Sequence, residues 1–245
     1  MTSSLVLLLA VGGTVFVAAF LQAASGFGFS LIAVPVITVL VSAKSAVVGA
    51  DVLAFALIVW LAVSQRRHVD QGVFRTATIA ACIGVPIGLL TFTRANDRTL
   101  AIAIAVVVIA LTVILISGFT LRSRTAYVAA AGFVSGVLVS TTGTNGPPLV
   151  LALHARDMPA AQFRATLAAA FAIQDLAAIG GFVVTNQFTT TVGAVVLAGL
   201  PGLAAGSLVG NRVFSAFDQT TFRRFVLGLL LVSGGLSLVV ALRAA

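Results

Sequence analysis

Polar and apolar positions in this chain alternate on a long scale, with near-continuous apolar runs separated by a few polar residues. The runs fall at 4–24, 27–41, 44–64, 72–92 and 97–118, and a second set at 125–141, 147–155, 160–184, 190–211 and 220–243. Runs of this kind predict membrane helices rather than the alternating segments of about ten residues that build a barrel. Two are short. As helices, 27–41 is about 22 Å long and 147–155 about 13 Å, against a hydrocarbon core of about 30 Å, so the second cannot span. Each short run follows a small, polar, glycine-rich break: Ser25-Gly26-Phe27-Gly28-Phe29-Ser30 and Thr141-Thr142-Gly143-Thr144-Asn145-Gly146-Pro147-Pro148. Each therefore reads as the returning arm of a broken-helix or re-entrant hairpin.

The two sets match in order. Gly26 and Pro86 stand 60 residues apart, and Gly143 and Pro201 stand 58 apart. Each proline lies in a similar triplet, Gly84-Val85-Pro86 and Gly199-Leu200-Pro201. The expected fold is an all-α polytopic membrane protein built from two five-segment repeats, 1–120 and 121–245.

Charge decides how the repeats are related. If each glycine hairpin enters and leaves on one side, the repeats are inverted. Ten of the 14 Lys and Arg then lie on one face, among them Arg66, Arg67, Arg75, Arg156, Arg164 and Arg212, and Lys44, Arg94, Arg98 and Arg243 lie on the other. Counting each hairpin as a crossing gives no such bias. Because Lys and Arg collect in cytoplasmic loops, the inverted arrangement is favoured, with both termini outside. The uncharged loop at 185–191 agrees, as do Trp60 and Tyr127, which fall near cytoplasmic helix ends.

Composition fits this class. The chain is 60% hydrophobic and 8% charged, with a mean hydropathy of +1.19, whereas a soluble domain carries about 25% charge. The net charge of +8 marks cytoplasmic loops and not a nucleic-acid partner. The partners expected are the lipid bilayer and a small solute, and a homodimer is left open. Cys82 is the one cysteine, so neither an intramolecular disulfide nor a cysteine metal cluster can form, and no cofactor or metal is expected. No Lys or Arg precedes Lys44, so 4–24 reads as a retained helix and not as a secretory signal. No Gly-x-x-x-x-Gly-Lys-[Ser/Thr] loop occurs, which argues against an ATP-driven pump.

The breaks carry the candidate chemistry. Backbone freed from helix inside lipid must be buried in protein or line a wet cavity. Pro147 and Pro148 suit a first helical turn and Asn145 or Thr144 the cap before it, so 147–155 starts inside the membrane. Such an N-terminus carries about half a positive charge and binds anions without a cationic side chain. Inverted tips would meet near the midplane. They would form an anion site from the backbone of Gly26, Gly28, Gly143 and Gly146 with the side chains of Ser25, Ser30, Thr142, Thr144 and Asn145. Gln22, one turn before Gly26, reaches the same cavity. For most of the 23 glycines, close helix packing is the sufficient explanation.

Ionisable groups at depth are functional candidates by default. Asp51 lies inside 44–64, and Asp175, beside Gln174, near the middle of 160–184. They suit coupling to H+, with Na+ open; the alternative is a hydrogen bond to a neighbouring helix. They are not repeat partners, since alignment of the halves puts Asp51 opposite an alanine. Lys44 and Arg164 sit near the starts of corresponding runs and either snorkel to the headgroups or guard the pocket mouth. His68 and His154 read as solvated.

The pattern Gly26-x-Gly28-Phe29-Ser30 with Pro35, repeated as Gly143-x-Asn145-Gly146-Pro147, resembles the duplicated signature of the TauE/SafE sulfite exporter family. The likeness covers nearly the whole chain in layout and segment order. It departs at Phe29, Ser30 and Asn145, which replace glycines, and at Ala152, where the second proline would stand. The resemblance implies a carrier in the inner (cytoplasmic) membrane that exports small sulfur-containing anions such as sulfite, sulfoacetate or related organosulfonates. Two other readings compete: a passive anion channel, and an intramembrane aspartyl hydrolase using Asp51 and Asp175. The hydrolase is disfavoured by the lack of a histidine at mid-depth to activate a nucleophile.

Overall fold

A computed structural model describes residues 2–117, 124–156 and 158–213. The run at 220–243, and Arg122, Arg223, Arg224 and Arg243, lie outside the described residues. Among those described, the chain is all-helical: α1 Thr2–Ser25, α2 Phe29–Thr38, α3 Ala43–Ser64, α4 Gln71–Arg94, α5 Asp97–Ile116, α6 Thr125–Thr142, α7 Gly146–His154, α8 Ala160–Val184 and α9 Thr190–Val213, with a 3-10 turn at Arg66–His68. Five of these, α3, α4, α6, α8 and α9, are long and apolar enough to cross a membrane. The chain is a multi-pass membrane protein.

Local chemistry sets the helix starts. The side chains of Ser42, Asp70 and Asn96 accept from the amides of Ser45, Val73 and Thr99, capping α3, α4 and α5. Pro86 and Pro201 lie inside α4 and α9, which continue through them. α2, with 10 residues, is shorter than its apolar run, and α7 has 9, about 15 and 13 Å of helix against about 30 Å of hydrocarbon. Neither spans.

Two helix pairs are interlocked through missing Cβ atoms. Where α4 meets α6, a Cβ at Gly84 or Gly88 would strike the backbone of Phe133 or Val137, and one at Gly132 or Gly136 that of Ala77 or Ala81. Where α1 meets α9, a Cβ at Gly202, Gly206 or Gly210 would strike the backbone of Gly12, Phe16 or Phe20. Helices in lipid gain no hydrophobic drive from each other, so such close backbone approach supplies the van der Waals contact that holds them. Between these pairs α3 packs on α8, α4 on α8, and α3 on α9. Phe29, Ile37, Val47, Leu53 and Phe182 are buried inside, whereas Ile79, Ile83, Ile87 and Leu90 form an exposed stripe on α4 suited to lipid tails. Trp60 and Tyr127 are both exposed.

Candidate functional site

The first break rests on two left-handed glycines. Gly26 has φ 84° and Gly28 φ 103°, conformations that only glycine enters at little cost. The Gly26 amide closes α1 by donating to the Gln22 carbonyl at 2.8 Å. The Gln22 side chain then bridges the gap: its Oε1 accepts from the amide of Phe29, the first residue of α2, at 2.9 Å. Arg164 of α8 donates from Nη2 to the carbonyl of Ala23 at 3.1 Å, serving one of the carbonyls that a helix end leaves without an internal donor.

The second break turns on Gly143, φ 68°, which lets the Thr144 amide fold back to the Leu138 carbonyl at 3.4 Å. The hydroxyls of Thr142 and Thr144 bond each other at 2.7 Å. Asn145 is held at both ends. Its carbonyl accepts from Ser135 Oγ at 2.6 Å, and its Nδ2 donates to Asp175 Oδ1 at 2.7 Å. Ser135 Oγ also lies 2.8 Å from Gln174 Oε1, while Gln174 Nε2 is buried without a partner. One hydroxyl hydrogen cannot serve two acceptors. Turning the Gln174 amide over resolves this, with Nε2 donating to Ser135 Oγ and Ser135 donating to Asn145.

The two breaks meet. One cleft is lined by Gln22, Gly28 and Ser30 from the first and by Thr144, Asn145 and Gly146 from the second, with Asp175 from α8. Phe27, Phe29 and Phe171 supply its aromatic walls, and the Phe27 ring packs where a Cβ of Gly146 would stand, 3.4 Å from Cδ2. Both α2 and α7 begin here, so two positive helix ends converge on one space. At α7 the donor set is thinner than a bare helix start offers, because Pro147 and Pro148 have no N–H. Among the described residues no Lys or Arg lines the cleft, and it has room for about one water molecule.

The remaining candidates fall around it. Thr142 and Gly143 are buried behind the lining. Asp51 is 1% exposed, with Oδ1 3.2 Å from where a Cβ of Gly143 would lie and Oδ2 without a hydrogen-bond partner. Arg164 reaches the first break, its Cγ 3.6 Å from the Cβ position of Gly26. Lys44 does not come to the cleft: its Nζ donates to the Thr93 carbonyl at 3.3 Å and lies over the Phe92 ring, while its amide donates to Asp97. The side chain of Ser25 lies outside the described residues. His68 and His154 are exposed.

Sequence reasoning did not single out Ser135 or the phenylalanine walls. Ser135, a buried hydroxyl in an apolar helix, carries the one signal that could have found it.

No curated protein and no solved structure matches the chain. The family model described as sulfite exporter TauE/SafE matches residues 11–236, nearly the full length, and the chain belongs to that family.

Proposed function

We propose that the protein is a secondary transporter that exports small sulfur-containing anions, such as sulfite or the organosulfonate sulfoacetate, across the inner (cytoplasmic) membrane. Transport proceeds by alternating access around the cleft. The observation that carries this reading is the meeting of the two glycine breaks, each followed at once by a short helix whose N-terminus faces the shared space. Amides and small polar side chains there can hold an oxyanion without a fixed cation. Family membership supports the sulfur chemistry.

We read the halves as inverted repeats, 1–120 and 121–245. The helix packing supports a two-fold relation between the halves, since exchanging them turns α1–α9 into α6–α4 and α3–α9 into α8–α4, all of them observed contacts. The charge bias across the loops then puts both termini outside. Room for about one water favours a carrier that must open over a continuously open channel.

The test is flux of labelled sulfite and sulfoacetate in proteoliposomes, with equal anion on both sides. Saturable exchange above protein-free vesicles is expected; its absence for both anions sinks the reading.

A further inference from the structure

We infer that the cleft carries its anion together with a monovalent cation, H+ or Na+, bound at the carboxyl pair Asp51 and Asp175, so that the two solutes move in the same direction, outward when the anion's own gradient drives export. This rests on the anion-carrier reading above.

The acids approach one short segment from two helices, α3 and α8. Asp175 accepts from Asn145 at 2.7 Å, and Asp51 Oδ1 lies 3.2 Å from where a Cβ of Gly143, two residues earlier, would stand. Both are almost fully buried, Asp51 at 1% and Asp175 at 3% exposure. Asp51 Oδ2 is buried with no hydrogen-bond partner. Among the described residues the other charges are remote or engaged. Arg164 lies eleven residues before Asp175 on α8, about 16 Å along the axis, and bonds Ala23. Lys44 lies seven residues before Asp51 on α3, about 10 Å along the axis, and bonds Thr93. On the elements packed around α3, α2 has no titratable residue, α5 offers Asp97 and Arg98 in its first turn, and α6 and α9 offer Tyr127 and Arg212 near their far ends; on those packed around α8, Arg75, Cys82 and Arg94 of α4, Arg66, Arg67 and His68 of the 3-10 turn and His154 of α7 are all exposed.

Two buried negative charges without a cation beside them are not sustainable in a low-dielectric interior. The pair therefore needs a proton or a metal cation, and the bare Oδ2 is where it would sit. Asp175 also lines the anion cleft. A charged carboxylate there repels the anion, and a neutralised one does not, so cation and anion each raise the other's affinity. Linkage of that sign is reciprocal and belongs to co-transport; exchange in opposite directions requires the two to displace each other.

The experiment uses the full chain in proteoliposomes with equal labelled sulfite or sulfoacetate on both sides. Potential is clamped by valinomycin with equal K+, and protein-free vesicles correct for leak of the acid form. An inward tenfold gradient of H+ or of Na+ is then imposed. One of the two should drive transient inward accumulation, approaching about tenfold at one-to-one coupling, and which one does so names the cation. Asp51→Asn and Asp175→Asn should each lower the ratio of gradient-driven to exchange flux at least about tenfold. Exchange in wild type that neither gradient can drive, or accumulation driven by an outward gradient, overturns the inference and leaves the carrier reading standing. Absence of exchange overturns both. The wild-type arms decide the matter even if the variants fold poorly.

Discussion

The Asn145 side-chain amide donates to Asp175 Oδ1 at 2.7 Å, tying a residue of the second glycine break to the middle of α8. Asn145 thus belongs to the cleft wall and to the support of a buried acid at once. An amide nitrogen carries two hydrogens, so the bond to Asp175 leaves a second donor for a solute.

Asn145→Ala removes both roles. Leaving a buried partner unpaired costs about 1–3 kcal/mol, so a modest fall in thermal stability is expected with membrane insertion intact. Anion flux per inserted protein should fall by at least about tenfold, the equivalent of about 1.4 kcal/mol. Wild-type flux from this variant would move the binding pocket elsewhere.

Gln22 tests the sign of the solute. Its Oε1 caps the Phe29 amide and lines the cleft. Gln22→Glu keeps an acceptor for that amide and is favoured at a helix N-terminus, yet adds a negative charge to the cleft. The variant should remain folded while the concentration of sulfite needed for half-maximal exchange rises by about tenfold or more. Gln22→Met, uncharged but unable to cap, should lose stability instead. An unchanged sulfite requirement in Gln22→Glu would mean the anion binds away from this wall.

Gly143 is constrained twice. Its φ of 68° costs other residues about 1–2 kcal/mol, and an added Cβ would lie 3.1 Å from Val34 Cγ2 and 3.2 Å from Asp51 Oδ1. Gly143→Ala should lower stability by about that amount. Gly143→Leu, which also overpacks the site, should lose transport while still inserting. Thermal unfolding in detergent beside flux in vesicles separates the two effects, and wild-type values for both measures in Gly143→Leu would refute the tight packing behind this break.

Much of this was legible in the sequence because hydropathy and helix breaks are local properties. The all-helical class, the two breaks and the shortness of α2 and α7 follow from runs and glycines alone. The structure also brings Gln22, Ser30, Thr144 and Asn145 to one cleft. Side-chain reach was not legible. Lys44 and Arg164 hold similar places in their runs, yet Arg164 turns to Ala23 at the first break while Lys44 turns to the end of α4. A long flexible side chain leaves no period in the sequence to say which way it goes. Ser135 was hidden for a related reason: its importance lies in contacts to Asn145 and Gln174, 10 and 39 residues away, which no local pattern encodes. The helix pairing was half visible, since Gly84 and Gly88, Gly132 and Gly136, and Gly202, Gly206 and Gly210 recur every four residues, although their partners were not.

That pairing supplies the last test. Gly136 lies where a Cβ would strike the Ala81 carbonyl, and Gly206 where it would strike that of Phe16. Backbone cannot swing aside as a side-chain tip can, so α4 and α6, or α1 and α9, must separate along their length. Gly136→Val and Gly206→Val should each destabilise by about 1–3 kcal/mol or more. Gly180 on α8 has nothing within 4 Å of its Cβ position. Gly180→Ala should therefore be neutral or stabilising, by up to about 1 kcal/mol, because glycine is the costlier residue in a helix interior. Thermal unfolding of the three variants in one detergent gives the comparison. Equal effects at Gly136, Gly206 and Gly180 would mean that loss of helix flexibility, and not backbone contact, governs the response.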